Sequence, residues 1–243
     1  EPLRLRGEKS VVLGGGGAQS FIVSARVSAL PGTRGIGFYL VDADAPGLQV
    51  VPFRLADGAI AVKLCLEAVP VRRRLEVDFN AFARAADDVR VAAGAEMLGI
   101  MGALFDATLE HVRTRKQFGA PLGSFQVIQH RMADLYVLLE QSRSQLYRAA
   151  LSDAGGGADP AAVAAMKSYL SAAAVELGEQ CIHLHGGMGI TDELMIGHGH
   201  KRLLVLSALL GDADHELERF AGLERPKPAQ AGLLAMDVAE AAL

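Results

Sequence analysis

Residues 161–182 read AAVAAMKSYLSAAAVELGEQCI, and this stretch decides the fold class. It is rich in strong helix formers and carries apolar residues on all sides, so it predicts a buried helix with other helices around it. The same pattern extends outward and predicts long helices over residues 80–115, 124–153, 159–184 and 193–209, with a shorter one near 213–222. A bundle of antiparallel helices fits these segments better than one long coiled coil.

The chain before residue 80 has a different character. Short apolar runs alternate there with glycine and proline turns, which predicts strands over residues 11–13, 21–23, 36–41 and 59–66. We therefore expect an α+β fold that is mostly α. The expected domains are a β-rich part over residues 1–79, a helical bundle over 80–225 and a tail over 226–243.

The composition narrows the classes of function. Of the 243 residues, 51% are hydrophobic and 21% charged, so the chain can bury a core and is not disordered. A net charge of −4 argues against a nucleic-acid partner. Cys65 and Cys181 lie far apart in unrelated contexts, which predicts free thiols in a reducing, cytoplasmic compartment. No apolar run is expected to reach the length that spans a bilayer, so no membrane insertion is predicted.

The first motif is RTRKQFG at residues 113–119. One interpretation is structural: cations complement the dipole at a helix C-terminus, and Gly119 ends the helix as its C′ residue. The other is an anion site, in which Arg115 offers a fork of donors to a phosphate and Phe118 packs on a planar ring.

The second motif is HLHGGMG at residues 183–189. Its glycines permit a tight turn and the close approach of a ligand to the backbone. It is not the dinucleotide-binding fingerprint, because no strand precedes it. His183 and His185 lie two residues apart on a helical segment and so face different ways, which argues against a metal site.

Taken together, RKQFG at 115–119, FQ at 125–126 and LHGGMG at 184–189 resemble the C-terminal domain of acyl-CoA dehydrogenases. The resemblance covers roughly residues 5–222, and the segment VDADAPG at 41–47 looks like part of that family's middle β-domain. It implies the end of a β-barrel-like middle domain followed by a C-terminal four-helix bundle.

The resemblance also implies a cofactor, a reaction and partners. The family oxidises an acyl-CoA thioester at its α,β bond: a carboxylate removes the α-proton and FAD takes the β-hydride. An electron-transferring flavoprotein is the implied electron acceptor, and a homo- or hetero-oligomer (dimer or tetramer) is the implied assembly. By the same resemblance, Arg115 and Gln117 contact the FAD pyrophosphate across a subunit interface. The rest of the implied FAD site comprises Phe118, Gln126, His183, Gly186 and Gly187.

The sequence departs from the family where the catalytic base belongs. Leu210 stands at the usual glutamate position and Val89 at the alternative one, and neither side chain can ionise. Asp212 is a candidate to replace the missing base. The alternative is that Asp212 caps the helix that follows it. Glu96 is a base, a buried polar anchor, or a member of a structural or interface ion pair. The catalytic residue is therefore not assigned.

The strand that normally faces the flavin ring carries Val11 and Leu13 in place of ring-stacking and hydrogen-bonding groups. In these losses the chain resembles the base-lacking subunit of the heteromeric acyl-CoA dehydrogenases of sterol degradation. Two alternatives stay open: a catalytically silent structural subunit, and a flavin enzyme of the same fold that acts on a non-CoA substrate.

Overall fold

The computed structural model describes residues 3–27, 32–152 and 157–223. Within these ranges the N-terminal part contains six strands in two antiparallel sheets, with the orders β1-β5-β4 and β2-β3-β6. The strands are β1 (Arg4–Leu13), β2 (Ser20–Arg26), β3 (Ile36–Asp42), β4 (Leu48–Arg54), β5 (Ile60–Pro70) and β6 (Arg73–Leu75). The predicted tail over 226–243 lies outside the described residues.

The two sheets share one hydrophobic core. Tyr39 and Val41 of β3 pack with Val62 and Leu64 of β5, and all four are buried. The described strands form two open sheets and no closed barrel. The expected β-barrel-like middle domain is therefore observed only as a β-rich part of the chain. The four predicted strands are confirmed, whereas β4 and β6 were missed. Pro52 explains the first omission, because proline is tolerated on an edge strand and β4 is one.

The second part of the chain is helical. Its helices are α1 (Phe79–Thr114), α2 (Gln126–Ala150), α3 (Pro160–His185), α4 (Met195–Ala208) and α5 (Ala213–Gly222). Each matches a predicted helix to within three residues at either end. Asp78 and Asp159 cap α1 and α3 by accepting backbone N–H bonds, which explains where those helices begin.

The helix predicted from residues 161–182 lies at the centre of the bundle. Met166, Leu170 and Leu177 of α3 are fully buried, and they pack with Met97 and Leu104 of α1 in one core. Because α3 is surrounded by α1, α2, α4 and α5, its apolar faces are used within the chain. This arrangement brings the C-terminal ends of α1 and α3 and the start of α2 to one end of the bundle.

Helix α1 requires one correction. It contains an 18-residue window of mean hydropathy 1.3, so by length and composition alone it could cross a bilayer, contrary to the expectation from the sequence. Met97, Met101 and Leu104 of this helix pack in the protein core, and core helices of this kind meet the same criteria. The length and mean hydropathy of α1 are therefore weak evidence for a membrane span.

Candidate functional site

The RTRKQFG motif ends a helix and then forms a small hairpin. Helix α1 stops at Thr114, and the strands β7 (Lys116–Gln117) and β8 (Ala120–Pro121) pair behind it. The two residues between them, Phe118 (φ 54°) and Gly119 (φ 81°), are both left-handed, as a two-residue hairpin turn of type I′ requires. The expectation that Gly119 is the C′ residue of the helix is therefore wrong. Arg115, in an extended conformation, ends the helix instead.

The hairpin presents its side chains to solvent. Phe118 is 93% exposed, and its ring lies edge-on to that of Phe125 at 6.3 Å. The Arg115 guanidinium is exposed and has no hydrogen-bond or ion-pair partner in the part of the chain that the structure describes. The Gln117 amide donates to the carbonyl of Lys116 (2.8 Å), and Gln126 is exposed at the first position of α2. These groups are available to a ligand or to another subunit.

The glycine turn follows α3. Gly186 has φ 62° and ψ −143°, a conformation that favours glycine, and a Cβ on Gly186 or Gly187 would meet nothing within 4 Å. Gly189 is different, since a Cβ there would stand 2.6 Å from the carbonyl of Ile182. Gly189 is therefore required for packing, whereas the backbone of Gly186 and Gly187 is open to a ligand.

Two contacts join the glycine turn to the other elements of the site. The ring of His185 stacks on that of His111 in α1 at 4.2 Å, four residues before Arg115. Arg131 of α2 lies 3.1 Å from Nδ1 of His183, to which its guanidinium donates. The hairpin, the first turns of α2 and the glycine turn thus meet at one end of the bundle. The two histidines do face different ways, as their spacing predicted.

The surroundings of His111 disfavour its protonated form and so lower its pKa. Burial lowers the pKa of His111, and the neighbouring His185 and Arg115 lower it further. His185 is oriented by a hydrogen bond between its Nδ1 and the carbonyl of Cys181 at 2.8 Å. Sequence reasoning missed this pair, because nothing in the sequence aligns a histidine of α1 with one of α3.

One hydrogen bond links the two segments in which the resemblance predicts a base. Arg90, which follows Val89 on α1, donates from Nη2 to the carbonyl oxygen of Leu210 at 2.7 Å. Leu210 is left-handed (φ 57°) and partly exposed, and Val89 is exposed. Neither position offers a proton acceptor.

The two substitute carboxylates have structural partners. Asp212 caps α5, with Oδ1 accepting the backbone N–H of His215 at 2.9 Å, so the capping interpretation is confirmed. Glu96 accepts two bonds from Arg202, at 2.7 and 3.1 Å, so the ion-pair interpretation of Glu96 is confirmed as well. On β1, Val11 and Leu13 are exposed apolar side chains.

The arrangement is suited to a ligand that combines a phosphate with a planar group. Arg115 supplies an unpaired guanidinium, Gly186 and Gly187 supply open backbone, and Phe118 supplies an exposed ring. Together the fold and this end of the bundle define a helical bundle that follows two β-sheets and carries an exposed site suited to such a ligand.

Comparisons with known proteins identify the family. Residues 79–221 match the model of the acyl-CoA dehydrogenase C-terminal domain. Cyclohexane-1-carbonyl-CoA dehydrogenase of Geobacter metallireducens is 35% identical over 193 residues, which are 76% of this chain and 50% of that protein. The chain therefore belongs to the acyl-CoA dehydrogenase family.

Solved structures agree with this assignment. The chain is similar to a variant of the Tcur3481–Tcur3483 steroid ACAD, with a TM-score of 0.79, 33% identity, and coverage of 90% of this chain and 58% of that one. It is also similar to the ChsE4–ChsE5 complex from Mycobacterium tuberculosis, with a TM-score of 0.82, 26% identity, and coverage of 92% and 61%. The chain spans about half the length of the curated relatives it matches.

Proposed function

We propose that this chain is one subunit of an FAD-dependent acyl-CoA dehydrogenase, that it completes a flavin site shared with a second subunit, and that the second subunit supplies the catalytic base. The observation that carries the proposal is the exposed, unpaired guanidinium of Arg115 beside the open glycine turn. Membership in the acyl-CoA dehydrogenase family supplies the reaction class.

The residues present fit FAD. Arg115 holds the pyrophosphate through charge-assisted bonds, and Gln117 and Gln126 add neutral donors from either side of the hairpin. Phe118 projects far enough from the hairpin to pack on a ring bound by a neighbouring subunit. The backbone of Gly186 and Gly187 lets the cofactor approach closely. When bound, FAD accepts the hydride that leaves the β-carbon of the substrate.

The hairpin faces outward, which favours a site formed between subunits. Phe118 is 93% exposed, and a large apolar ring at a turn tip is stabilised when a partner covers it. Arg115 in turn reaches a phosphate that another subunit binds. This geometry is why we propose an oligomer rather than a flavin-loaded monomer.

The catalytic base is proposed to come from the partner. Abstraction of the α-proton needs a carboxylate near the α-carbon, and Leu210 and Val89 occupy the two places where the family keeps it. Two of the similar structures are named as pairs, the Tcur3481–Tcur3483 steroid ACAD and the ChsE4–ChsE5 complex. A steroid or similarly bulky acyl-CoA is accordingly the substrate class that we propose, with an electron-transferring flavoprotein as the acceptor.

Co-purification tests this proposal. The full-length protein is produced with a second family member that carries the glutamate, and the purified assembly is examined by light scattering and by its flavin absorbance spectrum. A flavin-loaded hetero-oligomer that oxidises acyl-CoA with an artificial electron acceptor is the expected result. A stable flavin-loaded monomer, or an assembly that carries no flavin, would contradict it.

The same preparation separates the alternatives. If a non-CoA substrate reduces the flavin of the hetero-oligomer and acyl-CoA does not, the protein is a flavin enzyme of the same fold that acts on a non-CoA substrate. If only flavin bound by the partner is reduced, and its rate of reduction is unchanged when Arg115 is replaced, the chain is a silent structural subunit.

A further inference from the structure

A cluster of buried charges lies against the loop that carries Leu210. Lys167 of α3 and Glu216 of α5 are completely buried, and Arg90 of α1 is nearly so. Arg90 donates from Nε to Oε1 of Glu216 at 2.8 Å. None of these three groups belongs to the proposed flavin site, and burying so many charges is costly unless each is paired.

The cluster holds the loop by its backbone carbonyls. Arg90 donates from Nη2 to the carbonyl of Leu210 at 2.7 Å. Lys167 donates from Nζ to the carbonyls of Ser207 and Gly211, both at 2.8 Å. Ser207 lies in the last turn of α4, where the carbonyls lack partners within the helix. The residues from 207 to 211 are therefore anchored from two sides by two cations.

The charge count shows why the loop and the cluster depend on each other. Arg219 bonds to both buried carboxylates, Glu216 at 3.0 Å and Asp87 at 2.7 Å, so Arg90 and Arg219 pair with these two anions. Lys167 has the charge of Asp212 nearby, but its hydrogen bonds go to a hydroxyl and to two backbone carbonyls. The charge of Lys167 is further stabilised by the Ser207 carbonyl, which lies at the negative end of the α4 dipole. Removing Lys167 leaves the carbonyl of Gly211 without a donor among the described residues, whereas the carbonyl of Ser207 keeps the Ser171 hydroxyl at 3.2 Å.

The conformation that the cluster imposes is unusual for leucine. Leu210 has φ 57°, a left-handed conformation that a non-glycine residue keeps only when its surroundings determine it. Gly211 follows with φ 122°, and a Cβ there would stand 2.4 Å from the ring of His215. Local sequence preference alone does not account for this turn, whereas the bonds to its carbonyls do.

We propose that Arg90 and Lys167 are positioning residues for Leu210, and that they fix this side chain as a rigid apolar wall of the acyl site. The loop keeps a defined shape at the place where the family has its carboxylate, although the residue there cannot ionise. The role of Leu210 as a wall rests on the proposed function, whereas the positioning by Arg90 and Lys167 rests on the geometry alone.

Hydrogen–deuterium exchange tests the positioning directly. In the full-length protein, Lys167→Met removes the donor to Ser207 and Gly211 and keeps the side-chain length. Amides in residues 206–213 are expected to exchange about tenfold faster, as the loss of buried hydrogen bonds implies. Amides of α2 serve as the internal reference. Lys201→Met is the matched control, because Lys201 lies on α4 in an exposed pair with Asp192.

Equal exchange of residues 206–213 in the Lys167→Met and Lys201→Met proteins would overturn the proposal. If Lys167→Met does not fold, Arg90→Lys decides in its place, since it keeps the charge but loses the fork that reaches both Glu216 and Leu210. A local rise in exchange of the loop relative to α2 supports the proposal there, and an unchanged loop overturns it.

Kinetics of the flavin-loaded assembly test the role of Leu210 as a wall. Loosening the loop with Lys167→Met should raise KM for the acyl-CoA several-fold while kcat stays near the wild-type value, because the base is on the partner. A lower kcat at unchanged KM would overturn the wall assignment. If the wild-type assembly shows no turnover, the proposed function fails, and the exchange result still decides whether Arg90 and Lys167 position the loop.

Discussion

Arg202 and Asp57 form an ion pair that joins the β-sheets to the helical bundle, with 2.8 Å between Nη1 and Oδ2. Asp57 lies between β4 and β5 with its side chain only 5% exposed, and Arg202 is on α4. The same guanidinium donates twice to Glu96 on α1. Arg202 therefore fixes a turn of the β-rich part against two helices of the bundle.

Arg202→Met should destabilise the protein by about 1–3 kcal/mol, because it leaves the nearly buried carboxylate of Asp57 without its charged donor. Chemical denaturation of the full chain measures this loss. Arg143→Met is the matched control, since Arg143 pairs with Glu140 at the surface, and that exposed pair should contribute under about 1 kcal/mol. Equal losses in the two variants would show that Arg202 does not anchor the β-rich part to the helical bundle.

The Asp57 carboxylate should make this anchor sensitive to acid. Burial raises its pKa, but bonds from Arg202 and from the backbone of Ala59 outweigh burial, so the pKa of Asp57 is lowered from 3.8. Stability from a lowered carboxylate pKa is present above the unfolded value and is lost as the pH falls through the folded one. The stability difference between wild type and Asp57→Asn should therefore be constant at neutral pH and shrink below about pH 4. A difference that grows on acidification would contradict this.

Arg115→Ala should weaken flavin retention by the assembly about tenfold or more, since a charge-assisted bond to phosphate contributes about 1.5–3 kcal/mol. Equilibrium dialysis followed by flavin absorbance measures the change. Arg113→Ala is the control, because Arg113 is also exposed and cationic but lies on the last turn of α1 before the hairpin. If both variants retain flavin like the wild type, the assignment of Arg115 is wrong.

Asp212→Asn should leave acyl-CoA oxidation largely unchanged in the presence of the partner chain. Asp212 is engaged as the cap of α5, and asparagine caps a helix nearly as well, so stability should change little too. Replacing the partner's glutamate should instead reduce turnover by about 10²–10⁴-fold, the usual cost of losing a general base. Turnover by this chain alone that disappears with Asp212→Asn would make Asp212 the base.

Lys167 should give the protein a stability that rises in alkali. The pKa of Lys167 is lowered to about 8, chiefly by burial. The charge of Arg90 adds to this shift, whereas the charges of Glu216 and Asp212 oppose it. Between that value and the unfolded pKa of about 10.4, the unfolded chain binds the extra proton, so the free energy of unfolding increases with pH. The free energy of unfolding, measured by denaturation, should increase for the wild type relative to Lys167→Met between pH 8 and pH 10. A flat difference would show that Lys167 titrates normally.

The sequence by itself determined the helices, four of the eight strands in the described residues, and the family. Helices are local structures, and their ends follow from nearby caps such as Asp78 and Asp159, so pattern and capping suffice to place them. The spacing of RKQFG and HGGMG likewise identified the family before any contact was known, because both motifs are local. Gly119 shows the limit of this reasoning: a helix C-terminus and a hairpin turn both use a left-handed glycine, and only the pairing of β7 with β8 distinguishes them.

The tertiary structure alone decided which groups meet. The stack of His185 on His111, the pair of Arg202 with Asp57, and the bonds from Lys167 to the loop all join residues that are 40 or more positions apart. Lys167 lies within the apolar stretch 161–182, but two of its acceptors, the carbonyls of Ser207 and Gly211, depend on where α4 ends. Long-range packing sets burial, and burial sets whether a charge must find a partner, which is why these groups could not be recognised from the sequence.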